Sequence, residues 1–268
     1  MKVVVLGSGS KGNCTYIETA SKRILIDAGL SLLQIRSRLA LRNIEFTGVD
    51  LVLITHEHID HIKYLASILE KTKATLCIYE DTYVESNRRL SGALTHVNLK
   101  FINPDRRYTL DELSFIPITL SHDATNCFGY ILKEENSNVE NITYASITDT
   151  GYIPTKYYNI LSTVSVILIE SNHDVLMQKR SGRPWVLINR VLSERGHLSN
   201  ETCSEILTKI VSKHTKRVIF GHISEECNTE ELALNACLKA FNNKLPFILD
   251  IAKQHEPLDI IEVEQCLK

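Results

Sequence analysis

The sequence predicts an α/β (α+β) fold, because β-rich stretches alternate with single helices in both halves of the chain. The chain of 268 residues is long enough to bury one large core. No repeat, low-complexity tract or linker divides it. We therefore expect two packed sheets with helices outside them, in one domain over residues 1–268.

Three strands are expected first, over residues 2–6, 13–19 and 23–29. Ser31 then offers an N-cap for a helix over residues 32–41. Asp27, at the end of the third strand, either supports a metal site or is a simple strand-end acid.

The glycine-rich stretch Gly7-Ser8-Gly9-Ser10-Lys11-Gly12 formally matches the dinucleotide-binding pattern G-x-G-x-x-G. That pattern needs a helix after it, because the helix N-terminus holds the pyrophosphate. A strand follows here instead. We interpret the glycines as a tight turn whose backbone lines the rim of an active site.

The later elements are expected to alternate in the same way. Helices are predicted over residues 62–70, 81–90, 184–194, 201–213 and 229–241. Strands are predicted over residues 50–54, 75–79, 100–102, 108–120, 128–133, 141–147, 164–170, 217–220 and 258–263, with a polar turn over 134–138.

Composition excludes several classes of protein. The formal net charge of −2 argues against a globally basic nucleic-acid binder, although a local basic groove is compatible with it. No apolar segment approaches the length of a membrane span, and the N-terminus does not resemble a signal peptide. The seven cysteines are scattered, with no Cys-x-x-Cys pair, so we expect reduced thiols and a cytoplasmic protein.

The most informative stretch is Ile54-Thr55-His56-Glu57-His58-Ile59-Asp60-His61, which follows a short buried strand. Side chains alternate in an extended segment, so His56 and His58 share one side, and the turn that follows aims Asp60 and His61 at a second point nearby. Crowded imidazoles gain little in packing and repel once protonated. We therefore predict two adjacent metals here, with Glu57 at the surface or behind a ligand.

Four later positions share one context, a strand that ends beside small or polar neighbours. They are His122, Asp149, His173 and His222. In α/β sheets the strand ends are where ligands are assembled, which makes each of these residues a candidate.

The turn at 56–61, followed in order by His122, Thr148-Asp149-Thr150 and Gly221-His222, resembles the five-motif signature of the metallo-β-lactamase fold superfamily of binuclear hydrolases. The stretches 7–13, 170–174 and 196–201 are also similar to those of the bacterial YycJ/WalJ group. The resemblance extends over nearly the whole chain. It implies a four-layer αββα sandwich with two divalent metal ions at the shared edge of two sheets.

The resemblance assigns one metal to His56, His58 and His122, the other to Asp60, His61 and His222, and the bridging position to Asp149. Two divalent ions about 3.5–4 Å apart can share a hydroxide whose parent water has its pKa lowered toward neutrality. Imidazole and carboxylate ligands favour zinc, and manganese or iron are compatible with the same ligand types.

Residues outside the metal set bear on the substrate. A carboxylate at the bridging position is typical of the family's phosphodiesterases and thioesterases. Gly196-His197-Leu198-Ser199 resembles the segment of RNase Z-like enzymes that carries a histidine serving the leaving group, and Glu170 and His173 lie where those enzymes keep a supporting acid and histidine. His197 is either this proton donor or a residue that simply ends a helix. The candidate catalytic residues are Asp60, His173 and His197.

Between His173 and His197 lies Lys179-Arg180-Ser181-Gly182-Arg183-Pro184-Trp185, which contains the only tryptophan of the chain. Cations beside an aromatic ring suit a phosphate backbone and an unstacked base. A solvated loop with a packed tryptophan would give the same pattern. We predict Lys179, Arg180, Arg183 and Trp185 as substrate contacts.

The stretch from Asp149 to His222 is too short for the large inserted clamp domain of RNase J-like enzymes, and no long glycine-rich arm of the RNase Z-like type is present. The leading hypothesis is a binuclear phosphodiesterase acting on nucleic acid, DNA rather than RNA, as an exonuclease from 5′ ends. The alternative is a hydrolase of a small ester, thioester or cyclic phosphodiester. A metal-stabilised binding protein without turnover is disfavoured, because all seven ligand positions hold competent residues.

Overall fold

The computed structural model describes residues 1–135 and 143–263, and in these residues it contains fourteen strands arranged in two sheets. The strands are β1 (Lys2–Gly7), β2 (Cys14–Glu18), β3 (Arg23–Ile26), β4 (Leu51–Leu53), β5 (Thr75–Ile78), β6 (Asn98–Phe101), β7 (Tyr108–Leu110), β8 (Leu113–Leu120), β9 (Cys127–Glu134), β10 (Thr143–Ile147), β11 (Val166–Glu170), β12 (Arg217–Gly221), β13 (Ile248–Ile251) and β14 (Ile261–Glu262).

Helices connect the strands and cover the outer faces of both sheets. They are α1 (Leu32–Ala40), α2 (Ile59–Ile62), α3 (Leu65–Thr72), α4 (Glu80–Arg89), α5 (Tyr158–Leu161), α6 (Val175–Arg180), α7 (Trp185–Leu192), α8 (Asn200–Ile210) and α9 (Glu230–Ala240), with a 3-10 turn at Thr155–Tyr157. None of the helices in the described ranges is both long and apolar enough to cross a membrane.

Each sheet is half antiparallel and half parallel. The first has the order β14-β1-β2-β3-β4-β5-β6, and its pairs become parallel from β3 onward. The second has the order β13-β12-β11-β10-β9-β8-β7, and its pairs are parallel from β10 to β13. The parallel strands matter for function, because their carboxyl ends carry the polar residues of the site.

Alternation along the strands builds three apolar layers. In β1, Val3 and Val5 belong to the central core between the two sheets, whereas Val4 and Leu6 belong to the core under α1 and α3. A third core lies between the second sheet and α8 and α9. The result is the predicted four-layer αββα sandwich, and because both faces of each sheet are covered, the strands are apolar on both sides.

The strands and helices expected in the first half are present, with three differences. Residues 108–120 form two strands rather than one, because Asp111 adopts a left-handed conformation (φ 54°) between β7 and β8. Asp60 and His61 lie in the first turn of α2 rather than on a connecting turn. The predicted polar turn over 134–138 lies mostly outside the described residues.

In the second half the 3-10 turn Thr155–Tyr157, the short helix α5 and two further elements were not predicted. The strand β13 extends the parallel part of the second sheet, and α6 occupies a segment that was expected to be loop. The helix α6 has a local signal, since the Asp174 side chain accepts a hydrogen bond from Met177 N and caps the first turn.

The predicted N-cap of α1 is present as a capping box. Gln34 N donates to Ser31 Oγ, and Gln34 Oε1 accepts from Ser31 N at 2.9 Å. Two groups that the helix itself leaves unpaired are therefore satisfied.

Replacing the capping serine tests this reading of α1. We expect Ser31→Ala to lower the free energy of unfolding by about 1 kcal/mol, because it leaves the Gln34 amide without its acceptor. The matched control is Ser37→Ala in the same helix, an exposed position for which we expect less than about 0.5 kcal/mol. Urea unfolding of both variants measures the difference, and equal losses would show that the cap contributes nothing specific.

Candidate metal centre

Strand ends from both sheets meet at the candidate site. His56 and His58 follow β4, Asp149 follows β10, and His222 follows β12. Asp149 and His222 have φ angles of 58° and 51°, in the left-handed region that non-glycine residues seldom adopt. Such strained residues persist where the surrounding structure fixes them, which is the situation at the end of a buried strand.

The structure brings all seven predicted ligands together. Ligand atoms of His56, His58 and His122 lie within 4.8 Å of one another, as do those of Asp60, His61 and His222. Asp149 joins both sides: its Oδ2 is 3.2 Å from His61 Nε2, and its Oδ1 is 3.8 Å from His122 Nε2. Two groups of three side chains therefore share one carboxylate.

Two imidazole nitrogens facing this centre are buried without a hydrogen-bond partner in the described part of the chain. They are His56 Nε2 and His222 Nε2. Leaving such an atom unpaired costs about 1–3 kcal/mol. A divalent cation accepts lone pairs from imidazole nitrogen and carboxylate oxygen, so the donor set fits metal ions.

Three histidines are oriented by an oxygen acceptor beside their Nδ1 nitrogen. His61 Nδ1 is 2.8 Å from Asp27 Oδ2, and His222 Nδ1 is 3.0 Å from Glu170 Oε1. His122 Nδ1 is 3.0 Å from the Gly196 carbonyl oxygen. Acceptors of this kind fix the ring orientation and raise the basicity of the nitrogen that faces inward.

Asp27 therefore supports the site rather than merely ending a strand. Besides His61, it accepts hydrogen bonds from the Thr55 amide and hydroxyl, and the Thr55 hydroxyl lies 3.0 Å from His56 Nδ1. One buried carboxylate thus positions histidines from both groups of ligands.

Asn13, at the end of the glycine-rich turn, is a contact that sequence reasoning missed. Its Nδ2 donates to Asp60 Oδ2 at 3.1 Å and lies 2.9 Å from His61 Nε2. The turn is held by hydrogen bonds between Asn13 and the Gly9 backbone. The turn formed by the glycine-rich stretch therefore borders the site. In the sequence, Asn13 directly after the last glycine was the residue that could have indicated this contact.

The electrostatics of the centre are dominated by opposite charges in close contact. Burial alone would lower the pKa of His61, but Asp27, Asp149 and Asp60 together raise it well above its ordinary value. Burial would raise the pKa of Asp149, but His222 and His61 hold it well below its usual range. In the absence of metal these carboxylates and imidazoles form a network of ion pairs.

His197 lies beside both groups of ligands. Its ring centroid is 5.0 Å from that of His122 and 5.3 Å from that of His222. His197 Nδ1 is 2.6 Å from Glu170 Oε1, the same oxygen that His222 contacts. Burial opposes protonation, but Glu170 raises the pKa of His197 above its ordinary value. The arrangement favours an imidazolium with its Nε2–H available.

His173 is close to His197 but outside the groups of ligand atoms that could hold a metal among the described residues. It is buried, and its Nδ1 has no hydrogen-bond partner there. Burial lowers the pKa of His173 to about 4, so the ring is neutral at pH 7. His173, His197 and Lys179 line one cavity of about 330 Å³.

The other predicted substrate contacts lie near this cavity along the chain. Arg180 and Trp185 are exposed, and Arg183 forms an ion pair with Glu226 at 2.7 Å. These side chains thus occupy the α6–α7 segment beside the cavity rather than the metal centre.

Two residues of the site region have supporting contacts. Glu57 points away from the metal centre, as expected, but it is buried rather than at the surface, and its Oε1 accepts from the amide and hydroxyl of Thr125. Cys127 Sγ donates to the Asp149 carbonyl oxygen, and burial raises the pKa of this thiol well above its ordinary value. Cys127 is therefore a protonated packing residue.

This fold and this arrangement of histidines and aspartates define a class of protein. A family model described as "Beta-lactamase superfamily domain" matches residues 22–223. The chain belongs to this superfamily, whose metal-dependent hydrolases hold divalent ions at such a His/Asp cluster.

Two curated relatives are similar over most of their length. The chain is 35% identical over 234 residues to exodeoxyribonuclease WalJ of Streptococcus pneumoniae, covering 87% of this chain and 85% of the relative. It is 31% identical over 229 residues to exodeoxyribonuclease YycJ of Bacillus anthracis, covering 85% and 84%. Among solved structures, Zn²⁺-bound PqqB from Methylobacterium extorquens has the same fold, with a TM-score of 0.68 at 16% identity over 97% of this chain and 100% of that one.

The effect of added metal on thermal unfolding tests whether the centre binds metal ions. We expect Zn²⁺ or Mn²⁺ added to chelator-treated protein to raise the thermal unfolding midpoint, because an ion at 100 times its Kd stabilises the folded state by about 2.7 kcal/mol. His58→Ala should reduce the rise, since it removes one ligand atom. The control His96→Ala changes an exposed histidine outside the centre and should keep the full rise. An equal rise in both variants would contradict the assignment.

Proposed function

We propose that this chain is a binuclear metal-dependent phosphodiesterase, and that it acts as an exonuclease removing nucleotides from the 5′ ends of DNA. The observation that carries the proposal is the sharing of Asp149 by two groups of three ligands, in a chain 35% identical to an exodeoxyribonuclease. We assign the activity to one catalytic domain over residues 1–268, acting in the cytoplasm.

We assign one metal to His56, His58 and His122, the second to Asp60, His61 and His222, and the bridging position to Asp149. Bound there, two divalent ions would supply a hydroxide nucleophile at neutral pH and neutralise charge on the phosphate. Zinc suits this mixture of imidazole and carboxylate, and manganese or iron(II) suit it as well. Asp60 is held ionised by His61 and His222 against the effect of burial, and Asn13 fixes its orientation.

His197 acts in this proposal as the proton donor to the leaving oxygen. Its Nδ1–H is committed to Glu170, so Nε2–H is the donor, and the raised pKa favours the protonated ring. Burial opposes ionisation of Glu170, but His197 and His222 hold the pKa of this carboxyl below its usual range. A deoxyribose alkoxide is a poor leaving group, which makes such a donor valuable for cleaving DNA.

Lys179, Arg180 and Arg183 are proposed to contact the phosphate backbone. Lys179 lines the cavity that contains His197, and Arg180 is exposed nearby along the chain. Arg183 would have to exchange its ion pair with Glu226 for a phosphate. Contacts of this kind add affinity without base preference and weaken as salt is added. His173 is neutral and is proposed to contact substrate in the same cavity, rather than to donate a proton.

The direct test is digestion of end-labelled single- and double-stranded DNA and RNA with Mn²⁺ or Zn²⁺. We expect mononucleotide release from DNA 5′ ends. Asp149→Ala and His61→Ala should lower turnover at least about 10²-fold, since each removes a side chain that holds the metal pair.

Control measurements make this test specific. Both variants must keep the circular dichroism of the folded protein, and His96→Ala must keep full turnover. Unchanged nuclease rates in Asp149→Ala would identify a contaminating nuclease. High turnover of small esters, thioesters or cyclic phosphodiesters, with no salt-dependent DNA binding, would support a small-molecule hydrolase instead.

The proton-donor role is tested by changing the leaving group. We expect His197→Ala to cleave DNA about 10²–10⁴-fold more slowly, but to lose much less activity on a nitrophenyl phosphodiester, whose acidic phenol leaves without a proton. The wild-type rate on DNA should fall as pH rises through the pKa of His197, and the variant should lack this alkaline decline. Equal losses on both substrates would exclude the role.

A further inference from the structure

The segment containing α6 and α7 ends in an exposed apolar surface that the proposed metal chemistry does not use. Trp185 and Val186, the first two residues of α7, are 65% and 80% exposed. We call these two residues the apolar tip. Neighbouring large apolar side chains that are this exposed are candidates for a binding surface.

The helix α7, which carries the apolar tip, is packed against the rest of the protein. Ile188 and Val191, on the inner side of α7, are buried, and Pro184 precedes the first turn. At the other end of the helix, Arg190 forms an ion pair with Asp123, the residue after His122. The helix is therefore held against the loop that carries one of the proposed metal ligands.

The distance from the tip to the site follows from the helix geometry. Leu192, the last residue of α7, lines the cavity that contains His197. A helix rises 1.5 Å per residue, so Trp185 lies about 10 Å along the axis from Leu192. The tip and the cavity therefore lie at the two ends of one short helix, close enough for a single DNA strand to contact both.

Charge around the tip indicates what binds it. Residues 175–186 contain three cations and no acidic residue, and because Arg183 is paired with Glu226, Lys179 and Arg180 supply the positive charge of this segment. An apolar surface beside excess positive charge matches single-stranded nucleic acid, which presents unstacked bases and phosphates together. A duplex presents phosphates but keeps its base faces stacked.

We propose that Trp185 stacks on an unpaired base of the DNA strand that enters the metal centre. The inference rests on the proposed nuclease function and adds a preference for DNA ends that have unpaired nucleotides. Ends with unpaired nucleotides bind better than blunt ends, because only unpaired bases reach the indole. Val186 and the flanking cations support this contact.

Trp185 is the only tryptophan of the chain, so its fluorescence reports directly on this contact. The full chain with Mn²⁺ is titrated with a single-stranded phosphorothioate oligonucleotide that resists hydrolysis, and with an abasic oligonucleotide of equal length and charge. We expect the base-containing strand to quench the emission and the abasic strand to quench it far less. Equal emission changes with both strands would overturn the proposal.

Kinetics of Trp185 variants provide the second test. Trp185→Ala should raise KM for single-stranded DNA about 5- to 100-fold, with a smaller change in kcat, and Trp185→Phe should recover most of the loss because a ring remains to stack. An abasic site scanned along the strand should weaken wild-type binding most at one position near the cleaved bond, where the missing base would have stacked on Trp185. The control Leu33→Ala removes an equally apolar, 78% exposed side chain from α1 and should change neither value.

The outcomes separate this inference from the function on which it rests. If the wild-type protein does not cleave DNA, both proposals fail. If it cleaves DNA and Trp185→Ala behaves as Leu33→Ala does, only the stacking proposal fails. If Trp185→Ala instead changes the oligomeric mass measured by light scattering and leaves KM unaltered, the tip is a contact between copies of the chain, and the stacking proposal is wrong.

Discussion

The buried Asp149 carboxylate, in contact with histidines of both ligand groups, is the interaction on which the rest of the site depends. A lone carboxylate in such a position would take up a proton rather than remain charged. His222 and His61 keep it ionised, and those histidines are in turn held by Glu170 and Asp27. Removing one partner from a buried set of charges leaves the others uncompensated, so the outer carboxylates are as necessary as the inner ones.

The fold brings these carboxylates and imidazoles together because several parallel strands end at the same place. Asp27 and His222 directly follow β3 and β12, Asp149 lies two residues after β10, and all three have left-handed backbones. Each costs of order 1–3 kcal/mol in conformational strain. The three apolar cores of the sandwich offset this strain, and the strand ends have little freedom to relax. The rigidity of the sheets is therefore what positions the chemistry.

The sequence indicated well which side chains lie together at the candidate centre, because their chemistry is visible in residue type. Histidines and aspartates placed at predicted strand ends are rare without a function, and the structure brings all seven together. The side chains that support the candidate ligands were harder to predict from the sequence. Asn13 approaches Asp60 only after the glycine turn folds back over 47 positions of chain, and no local pattern reveals that approach.

Secondary structure was predictable where burial is periodic and was missed where elements are short and exposed. The edge strand β13 has four residues and an outward-facing Ile248, so it lacks the fully apolar character of β11 or β12. The helix α6 has only six residues, and Gly182 and Pro184 follow it closely. Both features favoured the interpretation of this segment as a loop. In both cases packing against neighbours determines the structure more than local preference does.

The proposed ligands run from His56 to His222 and come from both sheets. During synthesis strands β1 to β6 of the first sheet emerge from the ribosome long before the last histidine, whereas β14 of the same sheet follows it. Domains of this size fold as units once their long-range contacts are available. A nascent or truncated chain therefore has separate histidines but no assembled centre. For an enzyme that would degrade DNA, this order of assembly confines the hydrolytic activity to molecules that have finished folding.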